Sequence, residues 1–291
     1  MDKVTVVTRS FQAGVGGAGK EFNSILFAEK VAKPIRNLLR FSEAVRAIVV
    51  VTNGDPKSNL AENLIGENCT PTVSALRQTF PAEVESGIII PMICYDWGKN
   101  PGSGNALNMG IEFVQAGDYG NCVMMWSPEI SMDGYFISRA LVFMEQRNLF
   151  VVGFLRERWW EKTQWNVVQN TATIWNVAVL HSIKGFSPEC NGTGKTVKTS
   201  EFGEVPLAGM EDFHAMLRIM KSNPDFRWGM VGRENPLTWD VNFEPGSERE
   251  RNHLIKVTRQ GIVMVEYAKM IFPELDFTTT MNRLFERYHQ E

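Results

Sequence analysis

The feature that most constrains this chain is a succession of short, unbroken, β-branched apolar runs with helical stretches between them. Val4–Thr8 reads VTVVT, Ala47–Thr52 reads AIVVVT, Ile88–Cys94 reads IIIPMIC and Cys122–Trp126 reads CVMMW. A strand with one wet face alternates apolar and polar residues, so continuous runs fit strands covered on both faces. Between them Ile35–Val45, Asn59–Phe80 and Asn105–Gln115 carry helical spacing. In the last, Ala106, Leu107, Met109, Gly110, Phe113 and Val114 fall near one face at about 3.6 residues per turn. The alternation predicts an α/β fold, Rossmann-like, with a mostly parallel central sheet flanked by helices.

After Trp126 the pattern loosens. A helix is expected over Tyr135–Gln146, a strand over Phe150–Leu155 and another over Ala172–Leu180. Phe186–Phe202 is rich in Gly, Ser, Thr and Lys and reads as a mobile loop. Glu211–Lys221 reads as a helix with acids in its first turn and a base in its last, as the helix dipole favours. Asn223–Gly246 reads as irregular, Glu248–Ile271 as a long helix and Phe277–Tyr288 as a shorter one. The expected division is a core over 1–221 and a helical C-terminal extension over 222–291 packed on it.

Composition excludes several classes. Of 291 residues 44% are hydrophobic and 22% charged, which rules out general disorder. A formal charge of -3 argues against a nucleic-acid binder held by phosphate contacts. The sequence has no apolar run of about 18 residues, so no transmembrane segment is expected. The opening MDKVTVVTRS lacks a signal-peptide pattern, and a soluble cytoplasmic protein is expected. Cys69, Cys94, Cys122 and Cys190 are widely spaced and read as reduced thiols.

Two motifs bear on nucleotide chemistry. Gly14–Lys20 matches the glycine-rich GxxxxGK loop that cradles phosphates, but Glu21 stands where a magnesium-holding Ser or Thr belongs. A second constellation runs along the chain in order: Thr8-Arg9 and Asn53-Gly54-Asp55 end two strands, and Asn100 to Gly110 reads NPGSGNALNMG. Ser127-Pro128-Glu129 follows the fourth strand, Gly185-Phe186 forms a turn, and Glu211-Asp212 opens a helix.

This order resembles a family 2-like glycosyltransferase with the GT-A fold, over roughly residues 3–221. The resemblance implies transfer of a sugar from a nucleotide-diphosphate-sugar donor to a saccharide or other hydroxyl acceptor, with inversion. It implies that Thr8, Arg9, Asn53, Gly54 and Asp55 meet the base and ribose, since ligands bind beyond the carboxyl ends of strands. Lys99, Gly102, Asn105 and Ala106 would meet the donor at a helix start, where anions are favoured. Ser127 and Glu129 stand in register with the family's D-x-D, so Glu129 is the candidate ligand for Mg²⁺ or Mn²⁺. Ser127 departs from the pattern by replacing the first acid. Asp212 is the candidate base and Glu211 the next.

Two alternatives accompany this assignment. A nucleotidyltransferase would use Gly14–Lys20, and a non-catalytic nucleotide- or glycan-binding protein would explain Ser127. Trp159, Trp160, Trp165 and Trp175 suit an acceptor platform, core packing or the interface of a homo-oligomer. The four histidines lack metal-ligand spacing and read as surface or core residues.

Overall fold

The computed structural model describes residues 3–10, 22–40, 42–53, 70–94, 104–155, 168, 171–187, 190–199, 203–232, 237, 246 and 248–290. Its strands are β1 (Val4–Ser10), β2 (Val45–Asn53), β3 (Ile89–Cys94), β4 (Cys122–Trp126), β5 (Val151–Phe154), β6 (Ala172–Asn176), β7 (Asn191–Thr199), β8 (Gly203–Ala208), β9 (Trp228–Val231) and β10 (Tyr288–Gln290). Among the described residues, eight of these form one sheet in the order β10-β9-β5-β6-β4-β1-β2-β3, and β7 pairs with β8 in a separate antiparallel ribbon. Within the large sheet β6 runs antiparallel to β4 and β5, and the remaining pairs are parallel. Chain order reverses at β1, which lies between β2 and β4. Such a switch point opens a crevice at the carboxyl ends of the strands.

The runs that announced the sheet are its buried centre. Val4, Val6, Val7 and Ile48 to Val51 are fully buried, as expected of strands covered on both faces. Pro91 lies in β3, at one edge of the sheet, where a missing N–H costs least. The helices are α1 (Ser24–Phe27), α2 (Lys33–Leu39), α3 (Pro71–Thr79), α4 (Pro81–Glu85), α5 (Gly104–Ala116), α6 (Gly134–Gln146), α7 (Val177–Ser182), α8 (Glu211–Ser222), α9 (Glu248–Ile271) and α10 (Phe277–Phe285), with a π turn at Ala28–Ala32 joining α1 to α2. On one face Val7, Val49 and Val123 pack with Leu107 and Ile111 of α5 and Phe213 and Met216 of α8. On the other, Val6, Ile48 and Met124 pack with Ile35 and Leu38 of α2 and Ile137 and Ala140 of α6.

Several elements differ from their expectation. The predicted strand Ala172–Leu180 stops at Asn176, whose side chain accepts from the Val179 amide at 3.0 Å and starts α7. The predicted loop Phe186–Phe202 contains β7, and the irregular Asn223–Gly246 contains β9. The helix expected over Ile35–Val45 ends at Leu39, because Val45 already pairs with Val4. Asp133 caps α6, accepting from the Tyr135 and Phe136 amides. The glycine-rich loop Gly14–Lys20 lies outside the described residues.

Residues beyond 221 are tied to the sheet at several points. Trp228 donates its indole N–H to the Leu284 carbonyl at 3.0 Å, and Lys221 donates to the Ile271 carbonyl at 2.6 Å. No described helix is long and apolar enough to cross a membrane. Cys94, Cys122 and Cys190 form no disulfide among the described residues, and Cys69 lies outside them.

Candidate functional site

The site grows from the carboxyl ends of β1 and β4. Alternation along β1 sends Val7 and Arg9 to the face covered by α5 and α8, and Val6 and Thr8 to the other. Thr8 pairs with Trp126, the last residue of β4, which itself pairs with Ala172 of β6. One step further along each strand, the same register brings Arg9, Ser127 and Thr171 into a row. The Ser127 amide donates to the Thr171 carbonyl at 2.8 Å, which confirms that register between Ser127 and Thr171. By the same alternation these three side chains share the α8 face.

Helix α8 brings its first two residues to this row. Glu211 and Asp212 are only 6% and 7% exposed, although they are consecutive carboxylates at a helix start. Arg9 explains how they are tolerated. Its guanidinium feels Glu211, Asp212 and Glu129, in that order of strength. Burial lowers the Arg9 pKa below its ordinary value, and the three carboxylates oppose that fall. Arginine remains protonated under such conditions, so the cluster keeps a permanent cation. Its Nη1 is buried and has no hydrogen-bond partner among the described residues. The hydroxyls of Thr8, Ser10 and Thr171 are buried and without a partner among the described residues too. Buried polar groups in this state are uncommon and mark places where a ligand or water completes the bonding.

The sequence-predicted residues sort as follows. Arg9, Glu129, Glu211 and Asp212 come together, with buried Ser127 beside them. Thr8 is buried two residues before the end of β1, opposite Val50, and Asn53 is buried at the end of β2. Asn105 and Ala106 lie in the first turn of α5, with Ala106 fully buried. Gly54, Asp55, Lys99, Asn100, Gly102, Trp159, Trp160 and Trp165 lie outside the described residues. Trp175 is fully buried and meets Phe186 edge-on at 5.7 Å, so it is a core residue. His214 is buried against Tyr267, ring centroids 5.0 Å apart. Thr171 was not legible in the sequence, because only the β4–β6 register places it beside Ser127.

Ser127 offers a hydroxyl and Glu129 one carboxylate, and Arg9 places a positive charge within electrostatic reach of Glu129. Among the described residues no group of three His, Cys, Asp or Glu side chains is arranged to hold a metal ion. Glu129 is the one carboxylate of the expected Ser127-Pro128-Glu129 motif, and magnesium commonly takes one or two carboxylates with phosphates and waters.

No family model matches the chain, and no curated protein does. Solved structures do. The S. aureus TarS crystal structure is similar over 98% of this chain and 42% of TarS, with a TM-score of 0.50 and 12% identity. TarS 1-349 in complex with UDP-GlcNAc is similar over 98% of this chain and 71% of that one, with a TM-score of 0.49 and 10% identity. Glucosyl-3-phosphoglycerate synthase from Mycobacterium tuberculosis, in complex with Mn²⁺ and UDP-glucose, is similar over 91% of this chain and 79% of that one, with a TM-score of 0.48 and 10% identity. The likeness to TarS is one of fold: the chain has the GT-A architecture, a mostly parallel sheet with flanking helices.

Proposed function

We propose that this chain is a glycosyltransferase that moves a sugar from a nucleotide-diphosphate-sugar donor to an acceptor hydroxyl, with inversion. One observation carries it. Glu129 from the turn after β4 and the Glu211-Asp212 pair of α8 gather around Arg9 at the switch point of the sheet. In an open α/β sheet that is where a nucleotide binds.

In this reading Thr8 of β1 and Asn53, the last residue of the adjacent parallel strand β2, hydrogen-bond the base and ribose. In this reading Asn105 lies at the approach to the diphosphate at the start of α5, while Ala106, fully buried, packs the helix onto the core behind it. Asp212 acts as general base: the acceptor oxygen attacks the anomeric carbon while its proton passes to the carboxylate. The bond from the anomeric carbon to the diphosphate oxygen breaks, and its electron pair leaves with the nucleoside diphosphate. A single displacement from the far side inverts the anomeric centre.

The test begins with thermal-shift measurements against UDP, GDP, ADP, CMP and dTDP, since a ligand of the folded state raises the melting temperature by mass action. The nucleotide that shifts the protein names the donor base, and hydrolysis of the matching nucleotide sugar is then followed. Asp212→Asn is expected to cut turnover by about 10²–10⁴-fold with the nucleotide affinity unchanged. No shift with any nucleotide and no hydrolysis of any donor would sink the proposal.

A further inference from the structure

Helix α6 sorts its charges into different hollows. Arg139, Phe143 and Arg147, the last being the C-cap, stand four residues apart and so form one row along the helix. This row lines a groove of about 470 Å³, together with Gln146 and with Gln290 of β10. Among the described residues no carboxylate lines the groove. Glu145, the acid of α6, faces a separate hollow that it shares with Asp118. Two guanidinium groups thus line a cavity to which no described acid contributes.

The groove exists because β9 runs close against α6. Gly229 makes the approach: a Cβ there would lie 2.8 Å from the Phe143 ring and 2.9 Å from the His289 carbonyl oxygen. His289 pairs with Gly229 and Gln290 with Met230, so this contact brings β10, the edge strand, to the helix. Arg227, exposed just before β9, and His289 add further basic groups at the same edge. The helix dipole accounts for a base at position 147, where the last carbonyls of α6 gather. It does not account for Arg139, about two turns earlier.

A guanidinium fork matches a phosphate or carboxylate group with paired hydrogen bonds. Arg139 and Arg147 lie about 12 Å apart along the helix axis, a spacing that suits two anionic groups of one ligand better than a single one. The chain as a whole carries a formal charge of -3, so it offers a polyanion no general attraction, and a local patch must draw it. We propose that the groove between α6 and β10 is a binding site for a soluble multivalent anion, an oligophosphate or a polycarboxylate, held by Arg139 and Arg147 with Gln146 and Gln290 as amide partners. Its volume falls in the range of small-molecule sites. It is not the nucleotide crevice: β10 stands five strand positions from β1, roughly 24 Å at about 4.8 Å per strand. The inference therefore does not rest on the glycosyltransferase proposal.

The experiment titrates the 291-residue chain by calorimetry at low ionic strength with tripolyphosphate and, separately, with citrate, using orthophosphate for comparison. The multivalent anion is expected to bind about tenfold more tightly than orthophosphate, because a second guanidinium adds charge-assisted hydrogen bonds. The arm that binds names the anion, and added salt weakens it. Arg139→Gln and Arg147→Gln are each expected to weaken binding about tenfold. Arg147 is exposed, so its variant serves if Arg139→Gln does not fold. Arg77→Gln, on α3 beside the opposite edge of the sheet, is expected to keep full affinity. By NMR the His289 imidazole midpoint should rise in the presence of the bound anion, since a negative charge beside Gln290 favours the imidazolium. Failure of both multivalent anions to bind overturns the proposal. So does binding that is unchanged in Arg139→Gln and Arg147→Gln, or equally weakened in Arg77→Gln. Donor turnover found without anion binding removes this site and leaves the glycosyltransferase proposal standing.

Discussion

Asn108 belongs to the stretch that most resembled a donor-binding motif, yet its side chain is occupied elsewhere. Its amide nitrogen donates to the Phe186 carbonyl and its oxygen accepts from the Phe186 amide, both at 2.8 Å. The pair fastens α5 to the Gly185-Phe186 turn, 78 residues away. Gly185 has φ +69°, and a Cβ there would lie 2.4 Å from the Asn108 oxygen, so the turn demands glycine on two counts. Asn108→Ala leaves the Phe186 N–H and C=O unsatisfied beside a fully buried ring. Each orphaned group costs about 1–3 kcal/mol, so the urea midpoint is expected to fall clearly while nucleotide affinity changes little. An unchanged midpoint would mean that water replaces both bonds. The motif was thus legible in the sequence as a unit, but its division of labour was not. Arg9 shows the same limit: its sequence position predicts a strand end, and only the face on which α8 docks reveals its carboxylate neighbours.

At the scale of elements, the spacing of α5 from β1 is set by Gly110. A Cβ at this position would lie 2.4 Å from Cγ1 and 3.1 Å from Cγ2 of Val7, a stiff side chain at the centre of the sheet. Gly110→Ala gains about 1 kcal/mol of helix propensity but overpacks the interface, which costs about 1–3 kcal/mol. With a β-branched neighbour that cannot swing away, net destabilisation is expected in chemical unfolding. In a Val7→Ala background the same substitution is expected to become neutral or stabilising, so a double-mutant cycle should show strong coupling. Additive effects would reject the close-packing account. The elements that sequence reasoning located well are those whose own residues dictate burial: β1, β2, β4 and α6 carry their signal in unbroken apolar runs or in a clean period. The elements it missed are made by partners. In β7, NGTGKTVKT has no apolar alternation and becomes a strand by pairing with β8, whose Val205 is buried. In β9, WGMV is short and interrupted by glycine, and it is a strand because β5 and β10 flank it. The strand–helix switch at Asn176 turns on a single cap that hydrophobic periodicity does not register.

At the scale of the whole molecule, the last strand of the sheet is also the end of the described chain. β10 joins the sheet through β9, with His289 opposite Gly229. Arg287 donates to the carbonyls of Met220 and Asn223, so the C-terminal segment is pinned where α8 ends. His289 carries a pH dependence of its own. Burial first, then Arg227 and Arg147, hold its pKa below the ordinary 6.5. The folded protein therefore resists a proton that the unfolded chain accepts near pH 6.5. As pH falls through 6.5 toward the folded pKa, the unfolded state binds more protons and stability drops; above 6.5 the contribution is constant. Carboxylates titrate lower, so the window from pH 7.5 to about 5.5 isolates the histidine from most of them. Urea unfolding of the wild type should show stability declining across that window, and His289→Gln should flatten the decline. Hydrogen exchange at Gly229 and Met230 should quicken in the wild type as the pH is lowered, beyond the intrinsic change, because opening β10 lets His289 charge in water. The same pH slope in wild type and His289→Gln would show that the edge strand is held without regard to this residue's charge.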